Sequence, residues 1–345
     1  MNSFGRVFRL HLFGESHGPA VGVVIDGCPA GLPLRTDDFL PDLARRKSGA
    51  AGTTARRETD VPEILSGIHR NKATGAPIAV VFKNRDVHSG DYARFRRVPR
   101  PGQADFAAEM KFGGEQDPRG GGHFSGRLTL GLVAAGVIAK KIIRPTRISA
   151  GLISAGGEKD VSAVVARAVL QRDSIGGLIE AAAAPVPAGL GEPFFDSLES
   201  VLAHMLFAVP GIKGVEFGRG FAAASMRGRD FNDPLVGRDG KTLTNNAGGV
   251  NGGISNGNPV MFRVAARPTA SIGLRQRTLD RKTGRTVDLR VGGRHDACFA
   301  LRLPVIVEAA AAVVFADLLL LEQRIPRVWT YRPGPGHRWA APRPK

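Results

Sequence analysis

A turn near the start of the sequence carries three adjacent polar side chains, Glu15, Ser16 and His17, between Gly14 and Gly18. A buried strand or helix does not place three polar residues in a row, and glycines mark tight bends or a close approach to another group. Because imidazole titrates near neutral pH, His17 is suited to holding and moving a proton. The turn is therefore a candidate part of a catalytic site.

Three further segments combine glycines with groups that bind anions. The segment RGGGHFSGRLT, residues 119 to 129, precedes an apolar stretch that we predict to be a helix beginning near Ser125. Backbone N–H groups at such a helix start, the helix dipole and Arg127 together favour a phosphate. The other segments are NNAGGVNGGISNGNP, residues 245 to 259, and GGRHDAC, residues 292 to 298, which contains Asp296. Each segment alone is also typical of a flexible loop, so only the three together indicate an anion-binding site.

The elements that could position these segments follow from the hydrophobic pattern. VGVVIDG (21–27), PIAVVFKN (77–84) and NPVMFRVAARP (258–268) have the β-branched, apolar content of buried strands. Thr36 is a candidate N-cap of a helix that ends in the basic residues 45 to 47, as the helix dipole favours. Residues 305 to 322 read as a strongly apolar helix. The sequence therefore predicts a mixed α/β fold.

Composition indicates a soluble globular protein. The chain has 345 residues, 43% of them hydrophobic, which is enough for one large domain or two ordinary ones. Cys28 and Cys298 are far apart, which favours buried thiols in a reducing compartment over a disulfide framework. We see no signal peptide at the N-terminus, and Glu308 and Asp317 interrupt the most apolar segment. We expect a cytoplasmic protein.

The charge balance points to an anionic partner. The chain carries 48 Lys and Arg against 31 Asp and Glu, a net charge of +17, which suits nucleic acid, a membrane surface or a polyanionic small molecule. The tail, residues 324 to 345, is basic, rich in proline and free of acids, so we predict it to be disordered. Elsewhere the arginines lie in glycine-rich turns and aromatics are only 6% of residues. That distribution disfavours nucleic acid, which is bound by basic stripes and stacking platforms.

In their order and spacing, these segments resemble the signatures of the chorismate synthase family. They read GESHGPAVGVVIDGCPAGLPL from Gly14, GGGHFSGRLTLGLVAAGVIA from Gly120 and GRHDACFALRLPVIVEA from Gly293. Between them lie the similar stretches DLARRKSG, EILSGIHRNKATGAPIAV, RPGQADF, AGGVNGGISNGNPV and RPTASI. The resemblance spans roughly residues 4 to 322.

The resemblance implies a chorismate synthase-like β-α-β sandwich in a single large α/β domain, residues 1 to 323, followed by the tail. It implies a lyase of the shikimate pathway that removes phosphate from 5-enolpyruvylshikimate 3-phosphate by 1,4-anti elimination, giving chorismate for aromatic amino acid biosynthesis. Such enzymes require reduced FMN although the reaction has no net redox change. NADPH would act only indirectly, through an external flavin reductase activity. A homotetramer with a small-molecule substrate is expected, with no metal, nucleic acid or membrane.

The resemblance also assigns roles to individual residues. His17 matches the histidine thought to protonate reduced flavin, and Asp296 matches the carboxylate that takes a proton from the flavin nitrogen. Arg46, Arg100 and Arg127 match arginines that hold the phosphate and carboxylates of the substrate, and Arg45 beside them is expected to act similarly. The positions expected to contact FMN are His123, Phe124, Ser125, Pro210, Gly211, Gly252, Arg267, Pro268, Thr269, Ala270, Ser271 and Arg294. These anionic ligands imply a basic cavity that excludes water.

Some positions depart from the usual family pattern. Gln103 stands where the family usually has a second catalytic histidine, the proposed proton donor to the departing phosphate, and an amide cannot act as a general acid. His123 and Phe124 replace a common arginine and serine, although GGGHFSGR resembles a subgroup variant. Gly52 stands where a second arginine is frequent, and Ala297 where a proline is.

Three functional hypotheses therefore stand at this point. The first is an active chorismate synthase that uses reduced FMN supplied from elsewhere. The second is a family member with weakened or lost elimination activity, which acts as a flavin- or anion-binding protein. The third is a basic protein associated with nucleic acid, which only the tail supports.

Overall fold

The computed structural model describes residues 2–56, 58–86, 90–292 and 295–325. Its strands are β1 (Ser3–Phe4), β2 (Arg9–Gly14), β3 (Ala20–Asp26), β4 (Glu63–Ile64), β5 (Ile68–His69), β6 (Lys72–Ala73), β7 (Ile78–Lys83), β8 (Arg147–Ala155), β9 (Gly177–Ala184), β10 (Ile212–Phe217), β11 (Val250–Asn251), β12 (Ile254–Ser255), β13 (Val260–Ala266), β14 (Arg275–Asp280) and β15 (Arg285–Arg290). Its α-helices are α1 (Leu40–Arg46), α2 (Asp105–Phe112), α3 (Thr129–Ile142), α4 (Val161–Leu170), α5 (Leu198–Phe207), α6 (Gly228–Phe231) and α7 (Leu303–Leu321).

Two antiparallel sheets form the outer layers of the domain. The first has the order β1-β2-β3-β7-β4 and the second the order β10-β13-β9-β8. The predicted strands at 21–27, 77–84 and 258–268 are β3, β7 and β13, which all lie inside a sheet. Successive side chains of a strand point to opposite faces. In β3, Val21, Val23 and Ile25 share the buried face and are inaccessible to solvent.

Helices α3 and α7 lie side by side between the sheets and form the core. Helix α3 packs on β3 and β7, helix α7 packs on β8 and β9, and the two helices pack on each other. Small residues allow this close approach, since a Cβ at Gly136 would lie 2.3 Å from the Cβ of Ala309. One helical stretch, Phe299–Leu321, is long and apolar enough to cross a membrane, but 94% of its apolar window is buried inside the protein. The result is the predicted β-α-β sandwich.

The two acidic residues of α7 are buried and each has a structural partner. Glu308 accepts hydrogen bonds from Nη1 and Nη2 of Arg45, both at 2.7 Å, and from Nζ of Lys140 at 2.8 Å. Burial alone would raise the pKa of Glu308, but these bonds hold that pKa below its usual value. Asp317 accepts the backbone N–H groups of residues 6 to 8, which fixes the chain just before β2. Arg45 is therefore bound to Glu308, and the substrate contact expected of it stays a prediction.

The predicted helix starts differ slightly from the observed ones, and the two cysteines are as predicted. A 3₁₀ turn, Thr36–Phe39, precedes α1, and Arg35 rather than Thr36 is its N-cap, with the N–H of Arg35 donating to Oδ2 of Asp38 at 2.7 Å. Ser125 caps the short turn before α3 by accepting from the backbone N–H of Arg127. Cys28 and Cys298 are free and buried, and burial raises the pKa of Cys28 to about 12.

Only the first two residues of the predicted tail are among those described. Ile325 is buried against the core and Nη2 of Arg324 donates to the carbonyl oxygen of Ala188 at 3.1 Å. Residues 326 to 345 lie outside the described residues, so the predicted disorder of the tail stays a prediction.

Candidate functional site

One cavity of about 1100 Å³ contains most of the residues singled out in the sequence. Its wall is built by the turn between β2 and β3, the end of α1 with the loop after it, the segment before α2, the glycine loop before α3, the loop after β13 and the residues leading into α7. Ligand sites commonly measure roughly 300–1,000 Å³. The cavity is therefore large enough to hold more than one ligand.

His17 lies in this wall in a fixed orientation. Its side chain is buried and meets the ring of Tyr92 edge to face, with 5.2 Å between ring centroids. The backbone N–H of Ser16 donates to the carbonyl oxygen of Gly122 at 3.1 Å, which ties the turn to the glycine loop. A Cβ at Gly120 would lie 2.4 Å from Cδ2 of His17, so this position must be glycine for the imidazole to sit there.

Arg46 and Arg127 line the cavity side by side and are buried. Arg46 donates from Nε to Oγ1 of Thr129 at 2.9 Å and from Nη2 to the carbonyl oxygen of Gly126 at 2.9 Å. Arg127 pairs through Nη1 with Oδ1 of Asp60 at 2.5 Å. These bonds fix the planes of two guanidinium groups against one wall, as bidentate recognition of phosphate or carboxylate requires.

Arg100 lies in another part of the wall and is equally constrained. Nε and Nη2 donate to Oδ2 and Oδ1 of Asp105 at 2.8 and 2.7 Å. The guanidinium also stacks over the ring of Phe95, 4.5 Å from its centroid. Gln103 lines the cavity close to Arg100 in sequence, with its backbone N–H bonded to the carbonyl oxygen of Arg100 at 3.3 Å.

The described part of the wall is less basic than the sequence predicts. Its basic residues are Arg46, Lys47, Arg56, Arg96, Arg100, Arg127, Arg267 and Arg302, and its acidic residues are Glu58, Asp60, Asp86, Asp105, Glu109, Asp117 and Asp296. Burial and then the nearby positive charge of Arg302 lower the pKa of Arg46 to about 9, against the opposing effect of Asp60. Arg46 is still protonated at neutral pH, and an anionic ligand would relieve this crowding of charge.

Asp296 is held at the cavity by two donors. Its Oδ1 accepts the backbone N–H of Thr54 at 2.8 Å, and its Oδ2 accepts Nη2 of Arg302 at 2.5 Å. Its neighbour Arg294 lies outside the described residues, so the flavin and substrate contact expected of it stays a prediction. Arg302 was missed in the sequence because it sits in an apolar run that reads only as the start of α7.

The glycine loop presents two of its three predicted flavin contacts to the cavity. Phe124 and Ser125 line the wall, whereas His123 does not. The His123 ring stacks on Phe124 with 4.2 Å between centroids and meets Phe112 edge to face at 5.4 Å. In this chain His123 is therefore not positioned to replace the missing histidine at Gln103.

Most of the other residues predicted to contact flavin also line the cavity, but two of them do not. Pro210, Gly211, Arg267, Thr269, Ala270 and Ser271 line the cavity, while Pro268 does not. Gly211 has φ +91°, and a Cβ there would lie 2.4 Å from the ring of Phe299. Gly252 lies in the tight turn between β11 and β12 and is not part of the cavity wall.

Several functional candidates were missed in the sequence. Arg56 donates from Nη1 to Oγ of Ser16 at 3.0 Å and from Nη2 to Oε1 of Glu58 at 2.7 Å. Asp60 adopts φ +52°, which is unusual for a residue with a side chain and places its carboxylate under Arg127. The segment TTARRETD, residues 53 to 60, does place two arginines before two acids near the arginines of α1, but sequence spacing does not reveal which of them face the cavity.

Three buried polar atoms of the wall have no hydrogen-bond partner in the described residues. They are Oε1 of Gln116, Oγ1 of Thr269 and Nε of Arg302. Buried polar groups are nearly always paired in native proteins. The wall thus presents an acceptor, a hydroxyl and a cationic donor that are not used by the described residues.

Comparison with known proteins agrees with this arrangement. A chorismate synthase family model matches residues 8 to 320. The chorismate synthase of Chitinophaga pinensis is 56% identical over 330 residues, which cover 95% of this chain and 99% of the relative. The chain belongs to the chorismate synthase family. The chorismate synthase of Thermococcus kodakarensis is 44% identical, covering 92% of this chain and 97% of the relative.

A solved structure extends the likeness to three dimensions. A crystal structure of a chorismate synthase matches with a TM-score of 0.72 at 25% identity, covering 92% of this chain and 93% of that one. The predicted sandwich and the predicted enzyme class are thereby confirmed: the chain is a chorismate synthase-family lyase of the shikimate pathway. Neither the fold nor the relatives favour the alternative of a binding protein without elimination activity.

Proposed function

We propose that the cavity binds 5-enolpyruvylshikimate 3-phosphate together with reduced FMN and there eliminates phosphate to give chorismate. The observation that carries this proposal is that one cavity gathers His17, Asp296 and three buried arginines with room for two ligands. The chemistry is that of the family to which the chain belongs.

The described residues fit a flavin mononucleotide. The unpartnered Oε1 of Gln116 suits a ring N–H of the cofactor, and the unpartnered Oγ1 of Thr269 suits a carbonyl or phosphate oxygen. Flat apolar surface comes from Phe124, and bare backbone comes from Gly211. We propose that these residues, Ser125 and the run from Arg267 to Ser271 hold the cofactor. When bound, reduced FMN supplies electron density that assists departure of phosphate from the substrate.

The arginines are proposed to bind the substrate and its leaving group. Phosphate carries roughly −1.5 to −2 charges at neutral pH, and Arg46 and Arg127 present fixed guanidinium planes to one region of the cavity. Donors that are already oriented stabilise developing charge without reorganisation. As the C–O bond breaks, these arginines would stabilise the negative charge that collects on the phosphate, while Arg100 binds a carboxylate.

Two residues are proposed to handle protons. His17 holds a proton on its imidazole inside the cavity, where burial keeps water away from it. Asp296 is placed to accept the proton from the flavin nitrogen, and its bonds to the backbone N–H of Thr54 and to Nη2 of Arg302 keep its carboxylate in one orientation. Positioned acids and bases of this kind typically contribute roughly 10²–10⁴-fold to the rate.

We also propose that the enzyme assembles as a homotetramer. Several large apolar side chains are exposed in the single chain, among them Phe194 (87%), Phe195 (92%), Phe221 (83%) and Leu243 (71%). We propose that neighbouring subunits cover these side chains. Measurement of the molar mass in solution by light scattering tests this, and a monomer contradicts it.

Reduced flavin is proposed to come from an external reductase that uses NADPH. The sequence has no GxGxxG motif opening a βαβ unit. All strand pairs of the described residues are antiparallel, whereas dinucleotide-binding units are parallel. The two buried free thiols suit the reducing cytoplasm, where we propose that the enzyme works.

The decisive experiment is an anaerobic assay for chorismate with dithionite-reduced FMN. We expect turnover with reduced FMN and none with oxidised FMN. Flavin binding without chorismate formation would instead support the alternative of a family member that has lost elimination activity. The variant Asp296→Asn is expected to lower kcat by roughly 100-fold or more, with KM unchanged or lower, because a negative charge near an anionic substrate is removed. Unchanged kcat in that variant would exclude the proton-accepting role.

A further inference from the structure

Asn84, directly after β7, joins two parts of the proposed active site. Its Nδ2 donates to the carbonyl oxygens of Glu15 at 2.9 Å and Gly18 at 2.8 Å, which lie on either side of Ser16 and His17. Its Oδ1 accepts Nε of Arg127 at 2.9 Å. One amide therefore brackets the turn that carries His17 and also fixes the guanidinium of Arg127.

The partners of Asn84 determine which way its amide points. Two carbonyl oxygens need donors and one guanidinium N–H needs an acceptor, so the reversed amide would lose all three bonds. The backbone N–H of Asn84 also donates to the carbonyl oxygen of Pro19 at 3.1 Å, so the side chain starts from an anchored position. A carboxamide satisfies this set, whereas a carboxylate of the same shape would face two carbonyl oxygens without a proton to donate.

We propose that Asn84 is a positioning residue of this enzyme, which sets the imidazole of His17 and the guanidinium of Arg127 relative to each other. It touches no reacting atom and acts only through these two residues. The inference rests on the proposed function, because it assumes that His17 and Arg127 work in the reaction. A displacement of about 1 Å in a positioned group can lower a rate by roughly 100-fold.

The test is a double-mutant cycle in the anaerobic assay. Asn84→Ala is expected to lower kcat at least tenfold in the wild-type background and by a clearly smaller factor in a His17→Ala background, because the part of the loss that acts through His17 is already gone there while the part that acts through Arg127 remains. An equal loss in both backgrounds, or no loss in the wild type, would overturn the proposal. If His17→Ala itself leaves kcat unchanged, the role of His17 in the proposed function fails instead.

The link to Arg127 has a readout that does not depend on turnover. Calorimetry with inorganic phosphate and protein free of FMN should show affinity lowered about fivefold by Asn84→Ala, with no further loss in an Arg127→Ala background. Loss of the same size in that background contradicts the link. If Asn84→Ala does not fold, the isosteric Asn84→Asp removes both donated bonds, so the same fall in kcat is expected, again dependent on His17.

Asn258 provides a matched control. Asn258 is buried, whereas Asn84 is half-buried. Nδ2 of Asn258 also donates to two acceptors, at 2.9 and 3.0 Å, and its Oδ1 accepts the backbone N–H of Thr242, where Oδ1 of Asn84 accepts a guanidinium N–H. Asn258 does not line the active-site cavity. Asn258→Ala should lower the melting temperature about as much as Asn84→Ala while leaving kcat within twofold. An equal fall of kcat in both variants would show that lost stability alone explains the effect and would overturn the proposal.

Discussion

Individual guanidinium groups in this cavity are held by the protein before any ligand arrives. Arg100 is fixed along one edge by Asp105 and on its face by Phe95, and Arg127 is fixed by Asp60 and Asn84. Long side chains lose up to about 2 kcal/mol of conformational freedom when they are ordered. Because folding has already ordered these groups, little of that cost remains when substrate binds.

The lowered pKa of Arg46 predicts how substrate binding depends on pH. The free enzyme loses the proton of Arg46 as pH rises through about 9, and only the protonated form attracts an anion. KM for the substrate should therefore be flat below pH 8 and rise above about 9. Steady-state kinetics from pH 7 to 10 tests this, with Arg46→Gln expected to show a high KM without that rise. A flat wild-type profile up to pH 10 would contradict the prediction.

Gln103 makes the source of the leaving-group proton a separate question. If the arginines alone stabilise the departing phosphate, Gln103→His should raise kcat, by up to the roughly 100-fold that general acid catalysis supplies. His123 packs on Phe112 and Phe124 outside the cavity wall, so His123→Ala should change kcat by less than about threefold. The kcat values of the two single variants and the double variant distinguish these cases. A large loss of kcat in His123→Ala would indicate that His123 is the general acid.

Residues that line the cavity were predictable only where a motif carried them. His17, Asp296 and the three cavity arginines stand in segments that resemble family signatures, and all five reach one cavity. Asp60 and Arg302 could not be found in this way. Asp60 contacts an arginine 67 residues away and Arg302 lies in an apolar run, so only the folded chain reveals their partners.

The glycine loop before α3 acts as a unit whose backbone shape makes space for His17. Gly120 has φ +61°, and a Cβ there would collide with the imidazole. Gly113, which ends α2, has φ +64°, but a Cβ there meets nothing within 4 Å. The left-handed backbone costs an alanine about 1–2 kcal/mol at either position. Comparing alanine variants of the two glycines therefore separates the effect of backbone strain from the effect of displacing His17.

We therefore predict different outcomes for the two alanine variants. Gly113→Ala should lose about 1–2 kcal/mol of unfolding free energy through backbone strain. Gly120→Ala should lose at least as much, because its Cβ also clashes with the imidazole; urea denaturation measures both losses. Only Gly120→Ala should lower kcat, by tenfold or more, because only that variant moves the imidazole. Equal effects on kcat would show that the loop does not act through His17.

Buried strands and helices could be predicted from their apolar residues, whereas strands with charged residues on both faces could not. Strands β3, β7 and β13 and helix α7 were predicted to within about two residues of their observed bounds, because their apolar runs are bounded by turn residues. The hairpin of β14 and β15 was missed, since RQRTLD and RTVDLR are charged on both faces and resemble a loop. The α1 start shifted because Asp38 caps the backbone of Arg35.

For the molecule as a whole, the boundary of the folded domain can be tested by truncation. Ile325 is buried in the core, and burying such a side chain contributes roughly 1.5–3 kcal/mol. Truncation after Ile325 should leave kcat and FMN affinity within about twofold of the full chain and should leave the unfolding free energy unchanged. Truncation after Gln323 should lower the unfolding free energy by about 2 kcal/mol. Loss of folding in the longer variant would show that residues beyond 325 dock on the domain.

The position of α7 in the chain also determines when the protein can fold during synthesis. This helix fills the space between both sheets and, through Asp317, holds the backbone of residues 6 to 8. Until it leaves the ribosome, the apolar faces of α3 and of β8 and β9 have no partner. Contacts between distant parts of a chain slow folding, and exposed apolar faces promote aggregation. The nascent chain is therefore expected to be most prone to aggregation until α7 emerges.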